Sequence, residues 1–122
     1  MKAYTDLEQS KKLAEILPKE SADMYYFTII RDYPYSQGKN KAIAKIMDGS
    51  FSSDYDTPAW SLAALLDVIQ DDIKIEKTLF DQSDLFTYSI LSDTFDYRTY
   101  EHEELIDACV EMIEKLKEKE LI

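Results

Sequence analysis

The sequence predicts a single α+β domain in which a small antiparallel β-meander packs against two main helices, with an additional N-terminal helix beside them. Apolar residues recur at helical spacing near both ends of the chain and after residue 57. Between residues 73 and 100 they alternate with polar residues, as in half-buried strands. The 122 residues, of which 45% are hydrophobic, are enough for one buried core. We therefore expect one domain over residues 1–122.

A first helix is predicted over residues 6–17. Thr5 and Glu8 have the spacing of a capping box, in which each side chain satisfies a free backbone N–H. Pro18 ends the helix because its ring leaves no backbone N–H to donate. The residues expected on its apolar face are Leu7, Leu13, Ala14, Ile16 and Leu17.

The segment between residues 24 and 56 contains one predicted strand and one predicted short helix. Residues 24–30 are rich in aromatic and β-branched side chains, which favours a strand. Residues 40–47 place Ile43, Ile46 and Met47 on one side of a helix. Loops are expected over residues 34–38 and 49–56, where proline, glycine and short polar residues gather.

A central helix is predicted to begin at Thr57 and to end near Ile69. Thr57 is a favourable N-cap, and Pro58 suits the first helical position, where its missing N–H costs nothing. The segment is apolar on almost all sides, so we expect it to be buried. Trp60 is expected to fill the core.

Three antiparallel strands are expected over residues 73–79, 85–91 and 95–100, joined by turns at residues 81–84 and 92–94. The first of them should be half-buried through Ile73, Ile75 and Leu79. Such a meander needs a cover for its apolar face.

The last helix is predicted over residues 102–118. Its apolar stripe is expected to cover the sheet and consists of Leu105, Ile106, Cys109, Met112, Ile113 and Leu116. The acids expected to face water are Glu104, Asp107, Glu111, Glu114 and Glu118.

The charge is strongly negative and unevenly distributed. The chain has 25 acidic and 14 basic residues, a formal net charge of −11, and residues 62–122 hold sixteen of the acids and six of the bases. This charge repels nucleic acid and anionic membranes but is compatible with a basic partner protein. The chain has no apolar run long enough to span a membrane and no apolar signal segment at its start, so we expect a cytoplasmic protein.

Residues that carry chemistry are few, and none forms a catalytic, cofactor or metal motif. His102 lies among glutamates at a predicted helix start and should be exposed. Cys109 lies in an apolar stripe, where a thiol is not activated. Residues 48–56 alternate oxygen ligands as a calcium loop does, but Gly49 takes the second position and Ala59 replaces the bidentate glutamate. The sequence therefore predicts a non-enzymatic protein without cofactor or metal.

Tyrosine is abundant, with nine residues in the chain. Tyrosine favours interfaces because it combines a large rigid surface with a polar tip. Two interpretations stay open: these side chains cover edges of the core, or they form a surface for protein binding or self-association. The candidates for such a surface are Tyr33, Tyr35, Tyr55, Tyr97 and Tyr100.

Four segments, residues 4–18, 20–24, 58–66 and 107–113, carry a resemblance that covers a little under a third of the chain. They resemble a family of small uncharacterised proteins found in prophages and other mobile elements of gut bacteria. The resemblance implies a cytosolic bacterial or phage setting and an accessory role. It supplies no catalytic motif and no site residues.

Two functions follow as hypotheses. The first is a non-enzymatic accessory protein of a phage or mobile element that acts by protein–protein interaction. The alternative is an acidic mimic of nucleic acid that blocks a basic DNA- or RNA-binding protein. A mimic needs carboxylates spaced like phosphates on one exposed face, whereas a binding protein should expose an apolar or aromatic patch.

Overall fold

The structure is a computed structural model that describes residues 2–29, 41–46, 57–69, 73–79, 85–93 and 96–122. It confirms the predicted α+β class, because the described segments form three α-helices and two three-stranded antiparallel sheets. The helices are α1 (Leu7–Ile16), α2 (Leu62–Val68) and α3 (Leu105–Glu118). The strands are β1 (Met24–Ile29), β2 (Lys41–Ile46), β3 (Thr57–Ala59), β4 (Ile73–Leu79), β5 (Phe86–Ser92) and β6 (Tyr97–Arg98).

The capping box of α1 lies one residue later than predicted. The Asp6 carboxylate accepts from the Gln9 N–H at 2.8 Å, and the Gln9 side chain accepts from the Asp6 N–H at 3.1 Å. The prediction of Thr5 as the cap is wrong because its side chain is needed elsewhere. The Thr5 hydroxyl is fully buried, where it accepts from the Trp60 N–H at 3.1 Å and lies 2.7 Å from the Ser10 hydroxyl.

The buried face of α1 is rotated away from the predicted one. Ser10, Leu13 and Leu17 are buried, whereas Ala14 is exposed. Residues 10, 13 and 17 follow a helical spacing of three and four, so they form one row. This row faces the core, where Leu13 and Leu17 are buried and the Ser10 hydroxyl contacts that of Thr5.

The first sheet has the strand order β2-β1-β3. The predicted helix over residues 40–47 is wrong, since Lys41–Ile46 pairs antiparallel with β1 from Met24↔Ile46 to Ile29↔Lys41. Pairing with a neighbouring strand outweighs the weak local preference for a helix. The loops predicted over residues 34–38 and 49–56 lie outside the described residues.

The N-terminus of the predicted central helix is a short strand instead. Pro58 of β3 lies opposite Tyr25 of β1, and β3 is an edge of its sheet. Proline is tolerated at such an edge because its missing N–H interrupts no ladder on the outer side. Thr57 therefore caps no helix and is instead the first residue of β3.

Helix α2 begins three residues after β3 and is only seven residues long. Ser61 is its N-cap, because its hydroxyl accepts from the Ala64 N–H at 3.2 Å. Within the helix only Leu65 is fully buried, and Ala63 and Asp67 are exposed, so the expectation of burial on all sides is wrong. The apolar residues of this segment are shared between β3, Trp60 and one face of α2.

The second sheet is the predicted meander, with the order β4-β5-β6 and a register from Ile73↔Ser92 to Leu79↔Phe86. Its last strand is shorter than predicted. The β5 pairing continues through Thr99, whose hydroxyl accepts from the Ile90 N–H at 2.9 Å, and resumes at Tyr88↔His102. The additional residue between these two contacts forms a bulge.

Strand β4 is less buried than its alternation predicts. Ile75 is 42% exposed and Leu79 is 57% exposed, although both lie on the same face as the fully buried Ile90. The cover over this face therefore ends along β4.

The core lies between α3, the meander and the residues around Trp60. Trp60 is fully buried, as predicted. Helix α3 begins at Leu105 rather than at residue 102, and its buried stripe confirms Cys109, Met112 and Leu116. The residues of α3 buried in this core are Ile106, Ala108, Cys109, Val110, Met112, Ile113 and Leu116. In the described parts of the chain, no helix is long and apolar enough to cross a bilayer.

Three of the five acids predicted to face water are instead half-buried and bound to other groups of the protein. The Glu104 carboxylate accepts from the Lys2 backbone N–H at 2.7 Å. The Asp107 carboxylate accepts from Lys2 Nζ at 2.9 Å and from Gln9 Nε2 at 2.6 Å. The Glu111 carboxylate lies 2.8 Å from His102 Nε2, so the prediction of an exposed His102 is also wrong. These contacts stabilise the fold more than exposed contacts would, because water competes less for half-buried groups.

Candidate functional site

A groove of about 610 Å³ lies where the C-terminal ends of the three helices approach one another. Its walls come from the end of α1 with the following proline, from the last turns of α2, and from the end of α3 with the residues after it. The apolar residues that line it are Ile16, Leu17, Pro18, Ala64, Val68, Leu116, Leu121 and Ile122.

The wall after α1 is fixed by a chain of hydrogen bonds. Pro18 ends the helix, and its carbonyl accepts from the Ser21 hydroxyl at 2.6 Å. The same hydroxyl accepts from Trp60 Nε1 at 3.0 Å. The buried indole therefore sets the position of residues 18–21 at the groove.

The wall after α3 is formed by a left-handed turn. Glu120 has φ 57°, the conformation that usually selects glycine at this position after a helix. The Leu121 N–H then donates to the Leu116 carbonyl at 2.8 Å, and the Glu120 N–H donates to the Lys117 carbonyl at 3.0 Å. This pair of bonds is a Schellman motif. In such a motif the two side chains at the positions of Leu116 and Leu121 are commonly in contact. Both of these side chains line the groove.

The polar rim of the groove is negative. Glu20 and Asp67 line it and are exposed. Helices α1 and α2 have no basic residue in their last turns, so no side chain of those turns offsets the partial negative charge of their C-terminal carbonyls. Helix α3 has Lys115 and Lys117 in its last turn, but neither lines the groove.

The groove can therefore hold apolar side chains on its floor and attract a cation to its rim. Its volume lies within the range of ordinary ligand sites. Within the residues that the structure describes, no cluster of histidine, cysteine or carboxylate side chains could hold a metal ion.

The two side chains considered as a nucleophile or a base, those of Cys109 and Tyr97, lie away from the groove. Burial raises the pKa of the Cys109 thiol to about 12, so this cysteine stays protonated at neutral pH. The hydrogen bond to Glu111, together with burial, raises the pKa of Tyr97 to about 12. Neither group is activated as a nucleophile or as a base at neutral pH.

Two of the five tyrosines predicted as an interaction surface lie among the described residues. Tyr97 is half-buried, with its hydroxyl 2.7 Å from Glu111 Oε2 and with Lys115 Nζ 5.1 Å from its ring centroid. Tyr100 is 78% exposed, and its backbone N–H donates to the Glu111 carboxylate at 3.0 Å. The structure brings these two together at α3 and not at the groove. Tyr33, Tyr35 and Tyr55 lie outside the described residues.

Sequence reasoning missed the groove residues, although one signal was available. Leu121 and Ile122 follow a charged run with two apolar side chains, and the structure places both at the groove, 49% and 38% exposed. Glu20 and Asp67 had no signal, because only the tertiary fold brings them to one rim.

Comparison with family models, with curated proteins and with solved structures finds no match to this chain. The resemblance to proteins of mobile elements stays a prediction.

Proposed function

We propose that this chain is a non-enzymatic accessory protein that binds a basic amphipathic segment of a partner protein in the groove between its helix ends. The observation that carries the proposal is the combination of an apolar floor with a negative rim at Glu20 and Asp67. The cytoplasm of a bacterium that harbours a mobile element, which the resemblance implies, is the setting of this proposal.

The shape and the charge of the groove support one mode of recognition. An amphipathic helix can place its apolar side chains on a groove floor, with the flanking residues at the rim. The segment that suits this rim carries lysine or arginine beside its apolar residues, because these would lie near Glu20 and Asp67. The net charge of −11 additionally steers a basic partner toward the protein during encounter.

The alternative, an acidic mimic of nucleic acid, has less support from the described residues. A mimic needs a row of free carboxylates, but Asp107 and Glu111 on α3 are bound to groups of the protein itself. The exposed acids that remain on the second half of α3 alternate with lysines, and Lys115 lies 3.5 Å from the Glu118 carboxylate. This surface of α3 does not reproduce the charge of a phosphate backbone.

The test uses a designed amphipathic helical peptide with leucine on one face and lysine on the other, and a matched peptide with glutamate in place of lysine. Binding is followed by fluorescence anisotropy, and the site by amide chemical shifts of the labelled protein. We expect the basic peptide to bind and to shift the resonances of Ala64, Val68 and Leu121. The acidic peptide should not bind.

Matched variants separate charge from shape. Glu20→Lys with Asp67→Lys should weaken binding about tenfold or more. The control with the same change in net charge is Glu15→Lys with Glu114→Lys, two exposed acids that do not line the groove, and it should weaken binding much less. Ala64→Phe fills the groove and should abolish binding, and Ala63→Phe, on the exposed side of α2, is its control. Peptide shifts that map elsewhere, or equal losses in variant and control, contradict the proposal.

A further inference from the structure

Strand β4 is an edge of the second sheet, and the hydrogen bonds of β5 show which of its groups face outward. The Tyr88 N–H donates to the His102 carbonyl at 2.6 Å, and the Thr99 N–H donates to the Ile90 carbonyl at 2.9 Å. The backbone groups of Tyr88 and Ile90 therefore point away from β4. Because backbone direction alternates along a strand, those of Ser89 point toward β4 and bond its partner Glu76.

The same alternation fixes the outer edge of β4. Because Glu76 and its even-numbered neighbours bond β5, the N–H and carbonyl groups of Ile73, Ile75, Lys77 and Leu79 point outward. No strand among the described segments pairs with this edge. An unpaired edge of this kind is a template for another strand.

The side chains along this edge favour association. Ile75 is 42% exposed, and further along the same face Leu79 is 57% and Phe86 is 43% exposed. A regular seven-residue strand with apolar side chains in water lacks the proline and the short length that usually protect a sheet edge. On this face, Lys77 is the one charged side chain of β4 that opposes pairing with another strand. Its Nζ lies 4.1 Å from the centroid of the Phe86 ring.

We propose that β4 pairs antiparallel with β4 of a second copy of this chain, with Ile75 opposite Ile75 of the second copy. A two-fold axis perpendicular to the sheet makes this contact self-complementary and keeps each side chain on its own face. Ile73 then lies opposite Lys77 of the second copy. The outward groups of Ile73, Ile75 and Lys77 exchange roughly six backbone hydrogen bonds with their counterparts.

The charged side chains of β4 favour this register, and they favour a second copy of the chain as the partner. With Ile75 at the axis, Lys74 lies opposite Glu76 of the second copy and Glu76 opposite Lys74 of the second copy. Moving the axis to Glu76 places two glutamates opposite each other, and moving it to Lys77 places two lysines opposite each other, which destabilises a strand pair. Arg98, which lies 2.7 Å from Glu76, adds a second cation to each ion pair. The edge of β4 is therefore complementary in charge to the same edge of a second copy. The overall negative charge of the chain, by contrast, opposes the approach of two copies.

The test exploits this complementarity. Lys74→Glu and Glu76→Lys each place like charges opposite each other twice per dimer, whereas a mixture of the two variants restores opposite charges at every position. Sedimentation equilibrium of the complete chain at concentrations up to roughly 1 mM measures the association, since edge-strand interfaces are small. Lys12→Glu, an exposed residue of α1, is the charge-matched control for Lys74→Glu.

We expect the parent chain and Lys12→Glu to dimerise with the same affinity, and each β4 variant to associate at least about tenfold more weakly. Mixing the two variants should restore the dimer, and so should the double variant that carries both changes. Restoration also shows that the single variants are folded. A parent chain that stays monomeric overturns the proposal, and so does a dimer that neither variant weakens or that mixing does not restore.

Discussion

The Tyr97 hydroxyl donates a 2.7 Å hydrogen bond to the Glu111 carboxylate and so attaches the last strand of the meander to α3. The same carboxylate accepts from the Tyr100 N–H at 3.0 Å and lies 2.8 Å from His102 Nε2. The Glu111 side chain thus binds both ends of residues 97–102, the segment that contains the bulge opposite β5. Glu111 is therefore a structural residue, although its sequence position is typical of a solvated helix face.

Replacement of Glu111 by alanine should lower the free energy of unfolding by about 2 kcal/mol, because three donors lose an acceptor in a half-buried place. Glu114→Ala, an exposed acid of the same helix, should change it by less than about 0.5 kcal/mol. Urea denaturation measures both values. Equal effects of the two substitutions would mean that the Glu111 contacts contribute nothing.

The protein should lose stability under alkaline conditions in a way that depends on Tyr97. Hydrogen bonding to Glu111 and burial raise the pKa of Tyr97 to about 12, whereas an unfolded tyrosine titrates near pH 10. Between these values the unfolded state releases a proton that the folded state keeps, so the free energy of unfolding falls as pH rises. Below about pH 10 this contribution is fully present.

Burial likewise raises the pKa of Cys109 to about 12, so the alkaline loss has two sources. Urea midpoints measured from pH 8 to pH 12 should fall less steeply for Tyr97→Phe than for the parent chain. Tyr100→Phe, at a ring that is 78% exposed, is the comparison. If Tyr97→Phe and Tyr100→Phe follow the parent curve equally, the Tyr97 hydroxyl does not titrate as described.

The elements that the sequence predicts well are those with a long, sustained pattern. The stripe through Cys109, Met112 and Leu116 extends over several turns of α3, so one misplaced residue cannot change its period. The alternation in β4 and β5 identifies the meander in the same way. What alternation could not predict is how far the cover extends, which is why Ile75 and Leu79 are exposed.

The errors arise where two local patterns fit the same residues. Thr5 with Glu8 and Asp6 with Gln9 have the same capping spacing, and the contact of Thr5 with Trp60 decides between them. Thr57 and Pro58 suit a helix start and an edge strand equally, and only the presence of β1 selects the strand. The groove was not predictable for a similar reason, since its walls come from three separate helix ends.

Replacement of Glu120 by glycine should stabilise the protein by about 0.5–1 kcal/mol. Glu120 has φ 57°, where a Cβ atom is unfavourable and glycine carries no such penalty. Lys117→Gly, one turn earlier and inside α3, should instead destabilise by about 1 kcal/mol. Thermal unfolding distinguishes the two directions, and a loss of stability in Glu120→Gly would show that the left-handed turn does not form.

The buried hydroxyl of Thr5 should matter more for hydrogen bonding than for packing. Thr5→Val keeps the shape but leaves the Trp60 N–H without its acceptor and Ser10 without its partner, so it should cost about 2 kcal/mol. Ser10→Ala removes only one of these contacts and should cost about half as much. Denaturant unfolding of both variants tests the order, and a neutral Thr5→Val would show that the hydroxyl is dispensable.

Cys109 offers an internal probe of the whole core. Its side chain is fully buried and burial raises its pKa to about 12, so a thiol reagent at neutral pH should react only after the protein opens. The labelling rate should therefore rise with denaturant in step with the unfolded fraction. Fast labelling of the native chain would mean that the apolar stripe of α3 is accessible.

Trp60 belongs to the same buried cluster, so its removal should accelerate that labelling. Trp60→Ala empties an aromatic core site and should cost roughly 3–5 kcal/mol, which corresponds to an acceleration of roughly a hundredfold to several thousandfold. Trp60→Phe keeps a ring but loses the donor to Ser21, and should therefore fall between the parent chain and Trp60→Ala. If Trp60→Ala labels at the parent rate, Trp60 and Cys109 do not unfold together, and the indole stabilises only the segment next to the groove.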